Sequence, residues 1–217
     1  MSITTEQYMD NNYSKKPLLM VISHVVPHQP AAGNEIRIMN MLKWFQKQGF
    51  AILILFNHEK ISAEKTKNLE LLYEKIYFID DDYSETLPQL PKKKNNKFKL
   101  LMNSYFMNLC RMLFRDYHNA KLQSYRTKSW FASDRLIQIT QYLYFKYHPA
   151  VVLSEYIFTN PCFEVIPHDV LKIVDTHDMF SRKKKMVIKY GINDILSCTK
   201  AEESRYLRMS NLVLAIQ

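Results

Sequence analysis

Residues 18–42 read LLMVISHVVPHQPAAGNEIRIMNML. Leu18, Leu19, Met20, Val21 and Ile22 form an unbroken apolar run of strand length, the pattern of a strand covered on both faces in a parallel sheet. The next stretch breaks that run with Pro27 and Pro30 and closes on Gly33, the first of only three glycines in the chain. Beyond it Ile36, Met39, Leu42, Trp44 and Phe45 recur at roughly helical spacing. The unit is therefore strand, glycine-bearing loop, helix. A helix N-terminus presents unpaired N–H groups and a partial positive charge, so a glycine just before it gives an anionic ligand room to approach. The same glycine also serves a plain strand-to-helix turn.

Working outward, the alternation continues. Gly49 sits where a glycine would end the first helix, and 50–56 is a second buried strand. The pattern predicts a surface helix over 61–72 from Ile61, Ala63, Leu69 and Leu72, and a short strand over 75–79. A helix follows at 130–147, ended by Pro149. Strands are expected at 150–153, 171–174 and 212–216, a short helix or loop broken by Pro161 at 158–165, and a helix at 194–209. Strands alternating with helices imply an α/β fold: a Rossmann-like, doubly wound, mostly parallel six-stranded sheet with helices on both faces.

The ends and the middle read differently. Residues 1–16 are polar and without period, the mark of a loose leader, and 17–217 form one domain. Within it, Pro88, Pro91 and Lys92, Lys93 and Lys94 mark an exposed linker that opens a basic, partly apolar helical insertion at about 86–128. Its stretch 98–117 is apolar around much of its circumference and flanked by Lys97, Lys99, Arg111 and Arg115. Such a helix either lies on an anionic membrane surface or is buried between two others.

Composition narrows the classes. A chain of 217 residues that is 47% hydrophobic and 24% charged holds one good core and is not disordered by default. The start has no apolar h-region, and the longest purely apolar run, 50–56, is too short to span a bilayer. The expectation is a cytoplasmic protein, peripheral at the inner face of a membrane if the insertion binds lipid. Cys110, Cys162 and Cys198 are odd in number and widely spaced, which suits neither a disulfide framework nor a metal knuckle. The net charge of +9 attracts phosphates. No groove-reading helix or base-stacking motif accompanies it, so nucleic acid is not an expected partner.

In a doubly wound sheet, ligands sit beyond the carboxyl ends of the strands. That rule selects Ala32, Gly33, Asn34 and Arg37 after the first strand, Glu155 after the fourth, and Asp175, His177, Asp178 and Arg182 after the fifth. The triplet Asp80, Asp81 and Asp82 also follows a strand, where carboxylates would suit Mg²⁺ or Mn²⁺ but equally suit a turn.

The motif P-x-x-P-x-x-G-N-E-x-R at 27–37, with Ala32-Gly33, Arg37 and Gly49-Phe50, resembles the opening of family-four-like glycosyltransferases of the GT-B fold. Those enzymes carry a Gly-Gly pair, an Arg-bearing helix and a Gly-His at these places. KIVDTHDMFSR at 172–182, EESRYL at 202–207 and SNLVLAI at 210–216 are similar to the later half of the same N-terminal, acceptor-side domain. Residues 80–147 match nothing specific. The resemblance implies transfer of a sugar from a nucleotide-sugar, a substrate rather than a cofactor, to a glycan or lipid-linked acceptor, as in building a surface polysaccharide or glycolipid. No metal is expected.

By resemblance His177 and Asp178 would be catalytic. Ala32, Gly33, Asn34, Arg37, Glu155 and Arg182 would bind the donor phosphate or the acceptor. In the resembled enzymes a second domain with an E-x₇-E type signature holds the nucleotide-sugar. The chain corresponds to the first domain alone, so a missing C-terminal domain or separate subunit is an expected partner and the chain alone an inactive half. Three alternatives remain at this stage. One is a non-catalytic module that binds anionic lipid or the acceptor, and another is a metal-dependent GT-A-like transferase using Asp80 to Asp82. The third, a dinucleotide enzyme, lacks the G-x-G-x-x-G fingerprint after the first strand.

Overall fold

The computed structural model describes residues 16–27, 32–58, 61–83, 131–190, 196 and 198–215. Residues 1–15 of the leader expected at 1–16, the insertion expected at about 86–128 with the helix read at 98–117, and Cys110 lie outside them. Six strands form one parallel sheet: β1 (Leu18–Ser23), β2 (Ala51–Phe56), β3 (Lys75–Phe78), β4 (Val151–Glu155), β5 (Leu171–Thr176) and β6 (Leu212–Ala215). Their order is β3-β2-β1-β4-β5-β6, so the direction of winding reverses between β1 and β4. The described helices are α1 (Gly33–Lys47), α2 (Ala63–Glu70), α3 (Asp134–Tyr147), α4 (Phe180–Tyr190) and α5 (Lys200–Leu207), with a 3₁₀ segment at Ile157–Val165. The expected Rossmann-like α/β architecture is the one found.

Both faces of the sheet are covered. Leu19, Val21, Ile52, Ile54, Leu153 and Ile173 pack with Ile38, Leu42 and Phe45 of α1, Leu69 of α2, Phe180 of α4 and Tyr206 of α5. Met20, Ile22, Leu53, Leu55 and Val152 face the other way, onto Leu136, Ile139 and Leu143 of α3. Central strands buried on both sides explain why they read as unbroken apolar runs. No helix among the described residues is long and apolar enough to cross a membrane. Cys162 and Cys198 are buried and form no disulfide.

Several boundaries differ from the sequence reading. In α1 the buried residues are Ile38, Leu42 and Phe45, while Ile36 and Trp44 are exposed. At about 100° per residue the first three share one stripe and the other two fall on the far side, so the apolar spacing in the sequence mixes the buried face with the exposed one. α2 is shorter than 61–72 and buries only Leu69. The helix α4 carries so many cations that its apolar period is hidden, and the sequence reading left it out. β4 and β5 run two residues beyond 150–153 and 171–174, which places Glu155 and Asp175 inside strands rather than in loops.

Gly49 ends α1 in the left-handed region, with φ of 87°. Its N–H bonds the carbonyl of Gln46 and the Phe50 N–H bonds that of Phe45, the paired closure of a Schellman motif. An added Cβ would meet nothing within 4 Å. Gly49→Ala is therefore expected to lower stability by about 1 kcal/mol through backbone conformation alone. Urea unfolding checks it, and an unchanged midpoint would contradict the assignment.

Candidate functional site

The site grows out of the register of the sheet. Val21 pairs with Leu153 and Leu153 with Ile173, an apolar row across β1, β4 and β5. Side chains alternate along a strand, so the same face recurs two residues on. There the row becomes Ser23, Glu155 and Asp175, at the carboxyl edge and across the point where the strand order reverses. All three are buried. Ligands of open α/β sheets bind at this place.

Each carboxylate has a partner from another element. Asp175 accepts from Arg37 of α1, Nε at 2.8 and 3.0 Å and Nη2 at 2.6 Å, a charge-assisted fork. That bond raises the Arg37 pKa further. Glu155 meets the hydroxyl of Ser23 through Oε2. Burial pushes the Glu155 carboxyl above its ordinary range, with neighbouring His177 and Ser23 pulling the other way. The Ser23 hydroxyl also lies 2.8 Å from the carbonyl of Val25 and accepts its N–H at 2.9 Å. A hydroxyl has one hydrogen to give. It therefore serves the Glu155 carboxyl or the Val25 carbonyl, one at a time.

His177 lies just past β5. Its Nε2 is 3.3 Å from Glu155 Oε1 and 3.6 Å from Asp175 Oδ2. Neither His177 Nε2 nor Glu155 Oε1 has a hydrogen-bond partner, although both are buried. The ring stacks on Tyr156 at 4.3 Å between centroids. Tyr156 follows Glu155 directly with φ of 66° and ψ of 142°, a conformation that non-glycine residues rarely adopt. Such strain persists only where surroundings over-determine it. Here Tyr156 N–H bonds the Asp175 carbonyl, and its ring is held between His177 and His24. His24, edge-on to Phe131 and Tyr156, has its pKa lowered to about 4 by burial, with His177 and His58 adding repulsion.

The other sequence candidates are placed as follows. Ala32, Gly33 and Asn34 form the start of α1. The Ala32 N–H is taken by Glu35 Oε2 at 3.0 Å and the Glu35 N–H by Asn34 Oδ1 at 2.9 Å. Gly33 has no positive φ, and a Cβ there would meet nothing within 4 Å. Asp178 is half exposed and pairs with Lys183 at 3.5 Å, so the structure brings Asp175 and Glu155 to His177 and leaves Asp178 outside. Arg182 is exposed on α4.

Away from the crevice, Asp80 to Asp82 form a turn in which Asp81 Oδ2 accepts the Phe78 N–H at 2.7 Å. Among the described residues no three His, Cys, Asp or Glu side chains are grouped to hold a metal. Ser23, His24 and Tyr156 were not among the sequence candidates. A hydroxyl closing an apolar strand was the only signal for Ser23, and nothing local marked the other two.

No family model matches the sequence, and no curated protein matches it significantly. Among solved structures the fold is similar to sucrose-phosphate synthase from Thermosynechococcus elongatus, with a TM-score of 0.43 at 12% identity, covering 93% of this chain and 47% of that one. It is also similar to a UDP-glucosyltransferase from Polygonum tinctorium, with a TM-score of 0.40 at 9% identity, covering 92% of this chain and 46% of that one. The chain thus spans about half the length of each of these structures.

Proposed function

We propose that the chain is the acceptor-side domain of a two-domain, sugar-nucleotide-dependent glycosyltransferase, with the crevice over Ser23, Glu155 and Asp175 as the seat of a hydroxyl-rich ligand. One observation carries the reading. Glu155 Oε1 and His177 Nε2, 3.3 Å apart, are buried without a hydrogen-bond partner beside the point where the strand order reverses. A sugar hydroxyl both donates and accepts, so it can serve two such atoms at once. The motifs shared with the glycosyltransferases at 27–37 and 172–182 support the same reading.

Glycosyl transfer forms a bond from an acceptor hydroxyl oxygen to the anomeric carbon and breaks the bond from that carbon to the nucleoside diphosphate. In this reading His177 accepts the hydrogen bond of the attacking hydroxyl at Nε2, and stacking on Tyr156 orients the ring. Asp178 takes no part in bond making. The N–H groups at Gly33 and Asn34 face the departing diphosphate. Gly33 suits that role because the backbone itself does not demand glycine there. Arg37 acts chiefly as the partner of Asp175, since its charge is already met. The nucleotide-sugar is held mainly by a second domain, with no metal or other cofactor.

The test uses the chain with histidine ring signals assigned by NMR, probed with a panel of mono- and disaccharides and with uridine diphosphate. A saccharide is expected to move the His177 signals, and His177→Ala to weaken that binding about ten-fold or more, the scale of a lost positioned hydrogen bond. The chain alone is expected to show no turnover with nucleotide-sugars. Robust turnover by the chain alone, or a panel that leaves His177 unmoved, overturns the proposal.

A further inference from the structure

The helix α4, FSRKKKMVIKY, contains five cations and no acid. Phe180 turns inward and is fully buried, packed edge-on against Phe158. On the outside Met179, Met186 and Tyr190 are 59%, 58% and 61% exposed, among the largest exposures of any apolar side chains described. At about 100° per residue Met186 and Tyr190 fall within about 40° of one another, and Met179 immediately precedes the first turn. Met186 and Tyr190 make a single apolar stripe along the helix. Arg182 and Lys189 border it on one side and Lys183 on the other, with the Lys189 ammonium 5.0 Å from the Tyr190 ring.

From this arrangement we propose that α4 docks on an anionic lipid surface. The charge selects an anionic partner, in a chain whose net charge of +9 adds attraction at longer range. The stripe selects among anionic partners. Nucleic-acid phosphates would answer the cations and leave the methionines and tyrosine in water. An anionic bilayer answers both, because apolar tips enter the acyl boundary while lysine and arginine heads stay among the phosphates. Methionine adapts to an irregular apolar medium, and tyrosine favours the interface.

Behind the stripe the helix is held firmly. Glu203 of α5 accepts the Ser181 N–H and hydroxyl in the first turn of α4. α4 starts three residues after His177, so a docked helix brings the mouth of the crevice to the membrane. The docking face does not depend on what the crevice binds.

The 217-residue chain is tested by co-sedimentation with phosphatidylcholine vesicles, with and without a third of phosphatidylglycerol. Binding is expected only with the anionic lipid and is expected to fall with salt. Met179→Ser with Met186→Ser and Tyr190→Ser, and separately Arg182→Glu with Lys189→Glu, should each lower partitioning about ten-fold or more. A Met186→Trp variant reports the contact directly, through a blue shift and quenching by brominated lipid relative to the unsubstituted chain, and guards against a multiple variant that fails to fold. Equal binding to neutral vesicles, no binding at low salt, or an indole in the Met186→Trp variant that brominated lipid leaves unquenched overturns the proposal. So does a loss confined to the charge-reversed variant, or retention on poly-glutamate without vesicle binding, which would assign the face to an acidic protein.

Discussion

Arg37→Ala is expected to destabilise the domain by about 3 kcal/mol, the low end of what breaking a buried pair costs. Asp175 is fully buried, so removing the guanidinium leaves its carboxylate unpaired beside Glu155, a second buried carboxyl on the neighbouring strand. Arg37 itself is about a third exposed, and water entering its place limits the loss. The partner change is therefore not symmetric. Asp175→Asn alone leaves a cation that solvent can reach, and should cost less.

In the double variant the carboxylate is gone, so most of the Arg37→Ala loss should be recovered, with a coupling of about 2 kcal/mol. Urea unfolding of the four proteins at neutral pH, with equal m-values, measures the cycle. Additive single effects would mean that the fork between α1 and β5 is not what holds Asp175. The expected loss is a sizeable part of the stability of an ordinary domain, about 5–15 kcal/mol.

The second large effect is in pH. His24 is neutral in the folded chain down to about pH 4, whereas in the unfolded chain it titrates near 6.5. Between these values the unfolded state binds more protons, so stability rises with pH across the window. The contribution is fully present above 6.5 and is lost as pH falls through about 4. At 1.36 kcal/mol per pKa unit it amounts to about 3 kcal/mol. Glu155 acts in the opposite sense: its raised pKa means that the folded state holds a proton more tightly, so its penalty at neutral pH is relieved on acidification.

The wild-type curve mixes the two. His24→Phe isolates one of them, because a phenyl ring fits an edge-on site between Phe131 and Tyr156 and carries no proton. The variant is expected to lose about 3 kcal/mol less than wild type between about pH 7 and pH 4, read from urea midpoints at each pH. Parallel curves would show that His24 is hydrated and ordinary. Because Glu155 is untouched, His24→Phe should also lay bare the opposite slope that Glu155 contributes.

What was legible in the sequence follows from which signals are local. Five-residue and longer apolar runs announce strands covered on both sides, since only a parallel sheet between helix layers buries every side chain, and β1 and β2 were found this way. Gly49 announced the end of α1 because only a left-handed residue closes that motif cheaply. The placement rule for open α/β sheets led to Glu155, Asp175 and His177 once strands β4 and β5 were recognised. Thr199 followed by Glu202 was a local signal for the start of α5 that the reading at 194–209 passed over. In α4 the cations equal the apolar residues in number and hide their period.

Chain sequence thus determined the class of fold, the alternation of its elements and the edge of the sheet where chemistry could sit, because each rests on contacts close in the chain or on the period of one element. The fork from Arg37 to Asp175 spans 138 positions and the contact of Ser23 with Glu155 spans 132. Which carboxylate meets which partner depends on register between strands and on the turn of α1 against the sheet. Burial depends on the same packing, and burial is what moves the pKa values of His24 and Glu155. Only the tertiary structure decided that Asp175 rather than Asp178 stands beside His177, because one side chain points into the row across β1, β4 and β5 and the other into solvent.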